Sequence, residues 1–493
     1  MMSDPKRLHP ISIIFEFLSF LKQVIFPLVL WFFVFMRNDE KTGTLWDYAP
    51  WIGIGLVILF TTVLSIIKWS RYTYRVEDME LRIEHGLFIK KKRYIPFERI
   101  QSLDFSESIL HRPFGLVKVN VETAGGNDKT AEAEMTAIDK EAAFALKRVI
   151  AEAKNTGNIA LDETEIETKE TVLYKITQRQ LMFFASTSGR AGLVISAVLA
   201  FAAQFDELIP FDKIFKEMEQ VVRAGYFIVG AIVFAALLLA WILSVIMTYL
   251  KYNDFTLKHT EDDFVITRGL LEKRTTTIPI RRIQAIRMIE SPLRQPFGYA
   301  SVVVEYAGGS SADEKTEGLI MPVIKKQAIA SHLEDALVDY SFHVDFTPPP
   351  KRAKRRFYFV NLIQAAVVAA GLTIWLWPYG AIAIILIPLA WILGVFRYQS
   401  AGWNIKGDQL ALRYRVLEQQ TVLLRKNRMQ SMDVTVNWFQ NRADLATVST
   451  AVMSGGNAGA GVTHIDKKDA EFIYKWYIPK EQIVNNEEPK KSE

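Results

Sequence analysis

Apolar residues in this chain follow two patterns. In the first they run unbroken: Trp51 to Ile67, Ala224 to Leu250 and Phe357 to Phe396 contain no charged residue, and a bilayer core needs about 20 such residues as helix. The last run is 40 residues long, roughly 60 Å at 1.5 Å per residue, or twice the hydrocarbon thickness. Pro378-Tyr379-Gly380 in its middle predicts a helical hairpin. Leu8 to Met36 and Leu181 to Phe205 are further candidates, interrupted by Glu16 and Lys22 in the first and Arg190 in the second. Near span ends such residues snorkel to the interface. Six transmembrane helices in three pairs are expected.

In the second pattern apolar residues alternate with polar ones. Val76, Leu81, Ile83, Leu87 and Ile89 fall among charged neighbours, and Val117, Val119 and Val121 repeat with period two, as half-buried strands do. An Ala-rich amphipathic segment, Lys140 to Lys154, follows Asp139, a helix with its N-cap. Comparable segments begin after Ile324 and Asp466. Leu173 to Gln180 reads as an interfacial entry helix.

The strand-rich stretches are copies of one another. Laid over Lys251 to Gly309 without a gap, Lys68 to Gly126 is identical at 23 of 59 positions, among them Arg99-Ile100-Gln101, Pro113-Phe114-Gly115 and Ala124-Gly125-Gly126. A third copy keeps Arg428-Met429-Gln430 and Gly455, with Arg397 as far before Arg428 as Lys251 is before Arg282. It departs from the pattern at two glycines: Arg415 replaces Gly86 and Gly269, and Asp444 replaces the glycine of Pro-Phe-Gly. The expected plan is a transmembrane pair at 8–67, a module at 68–154, an acidic linker at 155–172, a pair at 173–250, a module at 251–347, a Pro/basic linker at 348–356, a pair at 357–396, a module at 397–480 and a polar tail at 481–493.

Composition narrows the function. An apolar content of 50% is high for a soluble chain, and the absence of cysteine removes disulfides, thiol catalysis and cysteine-ligated metals. A net charge of +5 is too small and scattered to argue for nucleic acid. Lys and Arg concentrate on the module side of the spans, which puts the modules and both termini in the cytoplasm. The seven histidines lack metal-ligand spacing, and the glycine pairs lack a phosphate-loop context. No catalytic grouping, metal site or cofactor is expected.

Two sets of residues are candidates for contact. Arg99 and Gln101, Arg282 and Gln284, and Arg428 and Gln430 are read as long polar side chains on one face of a strand. They would meet lipid headgroups or a partner, or else satisfy backbone groups within the fold, the favoured reading for a motif that every copy repeats. Lys351, Arg352, Lys354, Arg355 and Arg356 abut a span, where they would contact an anionic leaflet or set topology.

A pair of spans followed by strands bearing Arg-Ile-Gln, Pro-Phe-Gly and Ala-Gly-Gly, closed by a helix, resembles the bacterial pleckstrin-homology-like (PH-like) family of membrane-flanked domains. That resemblance implies an antiparallel, barrel-like β-sandwich with a C-terminal helix in each module. It also implies association with a smaller, single-module membrane paralogue and a role in tolerance to membrane-active bacteriocins. The reading is a non-enzymatic, multi-pass protein of the cell membrane that presents three binding modules to inner-leaflet lipids. The alternative is a transporter or lipid-handling protein whose helices form a route gated by the modules.

Overall fold

The computed structural model describes residues 5–36, 48–87, 89–123, 133–155, 170–188, 226–260, 262–306, 318–375, 377, 379–453 and 459–478. They divide into two compact units, Met1–Glu167 with Thr177–Phe255 and Thr267–Thr277, and Thr168–Ile176 with Thr256–Ile266 and Ile278–Glu493.

In the first unit, helices Ser12–Met36 and Ala49–Ser70 lead into copy one. Its first half is an antiparallel sheet of β1 (Lys6–Arg7), β2 (Thr73–Glu77), β3 (Glu80–His85) and β4 (Lys91–Pro96), in that order. The second half is β5 (Ile100–Ser108), β6 (Leu116–Thr123) and β7 (Ala133–Asp139), followed by helix Lys140–Asn155, whose first turn is capped by the Asp139 carboxylate. Alternation sends Leu81, Ile83 and Ile95 from one sheet and Val117, Val119 and Val121 from the other into a common core, which Ala143, Leu146 and Ile150 of the helix close.

The chain continues through β8 (Thr171–Lys175), helix Gln178–Ser186, helix Tyr226–Tyr252, β9 (Thr256–Thr260), β10 (Asp263–Arg268) and β11 (Glu272–Pro279). The expected entry helix at Leu173 to Gln180 is therefore a strand and then a helix. The switch falls at Thr177, whose side chain forms a capping box with Gln180. β11 pairs antiparallel with β5, Arg274 opposite Ser106, so a strand of copy two extends the sheet of copy one.

The second unit repeats this. β12 (Ile283–Glu290), β13 (Tyr299–Tyr306) and β14 (Leu319–Lys325) belong to copy two; β15 (Gly402–Lys406), β16 (Gln409–Arg415) and β17 (Gln419–Arg425) belong to copy three. They form one sheet in the order β14-β13-β12-β17-β16-β15. Helices Lys354–Trp375 and Leu386–Ser400 stand before copy three, joined through a 3-10 segment, Tyr379–Ile385. β18 (Met429–Thr435), β19 (Leu445–Val452), β20 (Gly459–Asp466) and helix Lys467–Tyr477 complete the copy. The expected β-rich modules are present, and their sheets run on from one copy into the next: β5 and β12 would end their sheets with open backbone groups, and the next copy's hairpin pairs with them.

Four described helices, not six, are long and apolar enough to cross a membrane: Trp51–Ser70, Phe234–Tyr252, Lys351–Trp375 and Gly380–Ser400. Their apolar side chains face outward, Phe60 being 63% exposed and Val367 67%, a surface stable against lipid and costly in water. Ser12–Met36 is not among them; it carries Glu16, which pairs with Lys68 at the end of the next helix, and Lys22. Most of the expected span Leu181 to Phe205 lies outside the described residues.

Candidate membrane-proximal binding site

The repeated Arg-x-Gln motif is placed by backbone geometry. Arg99, Arg282 and Arg428 each end a 3-10 turn, Phe97–Arg99, Ile280–Arg282 and Lys426–Arg428, rather than lying within a strand. The register then slips between Ile100 and Ser102, Ile283 and Ala285, and Met429 and Ser431. The residue at the slip is Gln101, Gln284 or Gln430, the extra residue of a β-bulge, which re-aims the strand. Gln284 is buried and donates to the Arg282 carbonyl at 2.8 Å, and Gln430 is exposed, its carbonyl accepting from the Tyr477 hydroxyl at 3.3 Å.

The basic run before the third helix pair divides. Arg352 donates to the carbonyls of Ala443 (2.8 Å) and Asp444 (3.2 Å) and to the Asp466 carboxylate (2.6 Å). Arg356 donates to the Phe439 carbonyl at 2.9 and 3.2 Å. These two bind the helix to copy three. Lys351, Lys354 and Arg355 are exposed, and their side chains make no hydrogen bond or ion pair among the described residues. Positive charge at a helix N-terminus opposes the helix dipole by some 0.3–1 kcal/mol, so local helix stability does not account for them.

The strongest chemistry lies where each described helix pair meets its module. In copy one a cavity of about 570 Å³ is lined by Glu16, Lys68, His85, Arg93, Lys118, Glu134 and Glu272 together with polar and aromatic groups. Lys68 pairs with Glu16 and Lys118 with Glu134, at 2.7 Å in the second case. His111 stacks on Phe15 with ring centroids 4.0 Å apart and contacts the Thr136 carbonyl through Nε2 at 2.8 Å. Burial, then Arg93, Lys91 and Lys68, push the His85 pKa down.

Copy three has a corresponding cavity of about 420 Å³, lined by Arg356, Asn361, Arg397, Tyr414, Arg415, Gly461, Thr463 and His464 with apolar neighbours. Arg397 and Tyr414 hold the repeat positions of Lys68 and His85. Gly461, opposite Ser449, holds that of Glu134, opposite Asn120. No carboxylate lines it, and its three arginines donate to neutral acceptors: Arg397 to Asn361 Oδ1 (2.7 Å), Arg415 Nε to Ser400 Oγ (2.9 Å), and Arg356 to the Phe439 carbonyl. Burial, then the Arg356 charge, push the His464 pKa down to about 4, so it is neutral at pH 7. The Glu290 charge acts on Arg415 from outside the lining, and a recess with three guanidinium groups and no carboxylate in its lining suits an anion with several acceptor oxygens.

Three stretches of the chain, 24–154, 220–337 and 358–481, match the model of the bacterial PH domain. The chain belongs to the bacterial PH domain family. It is 36% identical over 491 residues to the UPF0699 transmembrane protein YdbT of Bacillus subtilis (strain 168), covering 97% of this chain and 99% of that one. The UPF0699 transmembrane protein YdbS of the same organism is 26% identical over 102 residues, 19% of this chain and 63% of YdbS. This bacterial PH domain protein is thus a membrane protein of a family that includes a smaller paralogue. No solved structure matches it.

Sequence reasoning named Arg356 but missed Lys68, Arg397 and His464 as lining of the PH modules' cavities. One signal was present: Lys68 and Arg397 open their copies at the same repeat position. Arg415 was noted only as a departure from the repeat, and it lines the copy-three cavity. Among the described residues no group of three His, Asp or Glu side chains could hold a metal ion.

Proposed function

We propose that this protein is a non-enzymatic membrane platform whose PH modules stand at the cytoplasmic leaflet, the third binding the phosphate of an anionic lipid headgroup. The observation that carries the reading is the copy-three cavity, which lies at the module-side ends of two apolar helices and has three arginines and no carboxylate in its lining. Exposed Lys351, Lys354 and Arg355 beside it add attraction to an anionic surface, about 1 kcal/mol per charge near the leaflet. The cytoplasmic placement rests on the excess of Lys and Arg on the module side of the spans.

A platform of this kind acts with other envelope proteins, and the smaller one-module paralogue type represented by YdbS is the partner we favour. Together they protect the bilayer against membrane-active peptides such as bacteriocins, the role that the family resemblance implies. The experiment is a challenge of cells lacking the gene with a pore-forming cationic peptide. We expect increased sensitivity, reversed by the intact chain and not by an equally abundant Arg356→Gln/Arg397→Gln chain. Unchanged sensitivity on deletion removes the protective role, and full rescue by the double variant removes the cavity's part in it.

A further inference from the structure

The two internal joints between copies share one register. Arg274 of β11 stands opposite Ser106 of β5, and Gln420 of β17 stands opposite Ile289 of β12. These are the same repeat positions, since Arg274 and Gln420 lie eight residues before Arg282 and Arg428, and Ser106 and Ile289 lie seven after Arg99 and Arg282. The joint is therefore a property of the module. Both joints seat a first-half edge strand against a second-half edge strand of the preceding copy.

Among the described residues, two strands of these types remain without such a neighbour. β4 occupies in copy one the place of β11 and β17, and it ends the sheet β1-β2-β3-β4. β18 occupies in copy three the place of β5 and β12, and it ends the sheet β18-β19-β20. Carrying the joint register over sets Lys91 opposite Thr435 and Arg93 opposite Asp433. At both joints the residue equivalent to Asp433 makes a polar contact with the incoming strand. Asp104 accepts from Arg274 at 3.3 Å, and Arg287 donates to Gln420 Oε1 at 2.6 Å. Asp433 is exposed and has no hydrogen-bond or ion-pair partner among the described residues. Lys91, at the Arg274 position, and Arg93 are likewise exposed.

We propose that β18 of one chain accepts β4 of a second copy, head to tail, in the register of the internal joints. The charge pattern selects this pairing. Lys91, Lys92 and Arg93 repel a second β4, as lysine-rich edge strands do. The strand bearing Asp433 is their complement, opposite charges across an antiparallel pair being favourable. The contact is heterologous, so it builds a ring or an open row of copies in the membrane plane rather than a two-fold dimer. It does not rest on the anion-binding reading.

The native chain has no cysteine, so one introduced pair reads the contact directly. Two differently tagged full-length chains are co-expressed in membranes, one with Lys91→Cys and the other with Thr435→Cys, and mildly oxidised. We expect a disulfide-linked species carrying both tags, and none when Val434→Cys, which faces the other side of the strand, replaces Thr435→Cys. Separately, Lys91→Glu/Arg93→Glu on both tagged chains should abolish co-purification of the tags, and adding Asp433→Arg to both should restore it. Absence of a cross-link, equal cross-linking at Val434, charge swaps without effect, or co-purification of a one-module relative in place of the second copy would each overturn the proposal.

Discussion

The first and third modules carry the same recess with opposite electrostatics. In copy one, Glu16, Glu134 and Glu272 balance Lys68, Arg93 and Lys118; in copy three, Asn361 and Gly461 stand near Arg356, Arg397 and Arg415 with no acid among the lining residues. A duplicated fold thus keeps its cavity while the charge of the lining differs between copies. The first recess is balanced by acids in its own lining, whereas the lining of the third holds none. Repetition in this chain identifies scaffold, and departure from repetition points to the proposed site.

The change with the largest expected effect breaks the wall of the third recess. Tyr414 is held there by Arg287, which also bonds Gln420 and the buried Glu305 carboxylate. Arg287→Met leaves Glu305 uncompensated and should destabilise the second unit by about 3–5 kcal/mol, read as a lowered midpoint of thermal unfolding in detergent. A milder change converts one recess toward the other. Asn361→Glu places an acid beside Arg397 and should weaken retention of anionic lipid about fivefold, for roughly 1 kcal/mol of lost attraction. Glu16→Asn/Glu134→Ser should give the first recess measurable anionic-lipid binding that the native one lacks.

His464 supplies a pH test confined to copy three. Its folded pKa of about 4 lies below the ordinary histidine value of 6.5, so the unfolded chain takes up the proton first and stability falls as pH drops through that interval. Unfolding midpoints should therefore decline between about pH 6.5 and 4 more steeply in the native chain than in His464→Gln. The smallest effect concerns a turn. Gly115 and Gly298 end their 3-10 turns at φ 63° and 70°, and Asp444 adopts φ 49° at the equivalent place. Asp444→Gly should stabilise by at most about 1 kcal/mol, and Gly115→Ala should destabilise by about 1–2 kcal/mol, both read from denaturant midpoints.

Much of the architecture was legible in the chain because it is written in local terms. Charge-free runs mark apolar helices, period-two alternation marks β6 and its neighbours, and Asp139 and Asp466 mark helix starts that both cap as expected. The sharing of sheets between copies was not legible, since an edge strand and a central strand have similar local patterns and only the three-dimensional register distinguishes them. β8 was misread as helix because Val172, Leu173 and Tyr174 give too short a run to separate the two periods. Arg-x-Gln was seen as a motif, but its role as a turn followed by a bulge is a backbone property that side-chain identity only hints at. The recess lining escaped for a related reason: Arg356, Arg397, Arg415 and His464 converge from four separate elements.

The most direct test is native mass spectrometry of the detergent-solubilised chain with a phosphatidylglycerol and phosphatidylcholine mixture, comparing the native protein with Arg356→Gln/Arg397→Gln and with Glu16→Asn/Glu134→Ser. The account predicts preferential retention of the anionic lipid by the native chain, loss of that preference in the arginine variant, and an additional bound anionic lipid in the glutamate variant. Equal retention of both lipids by the native chain, or an undiminished anionic preference in a folded arginine variant, would contradict it.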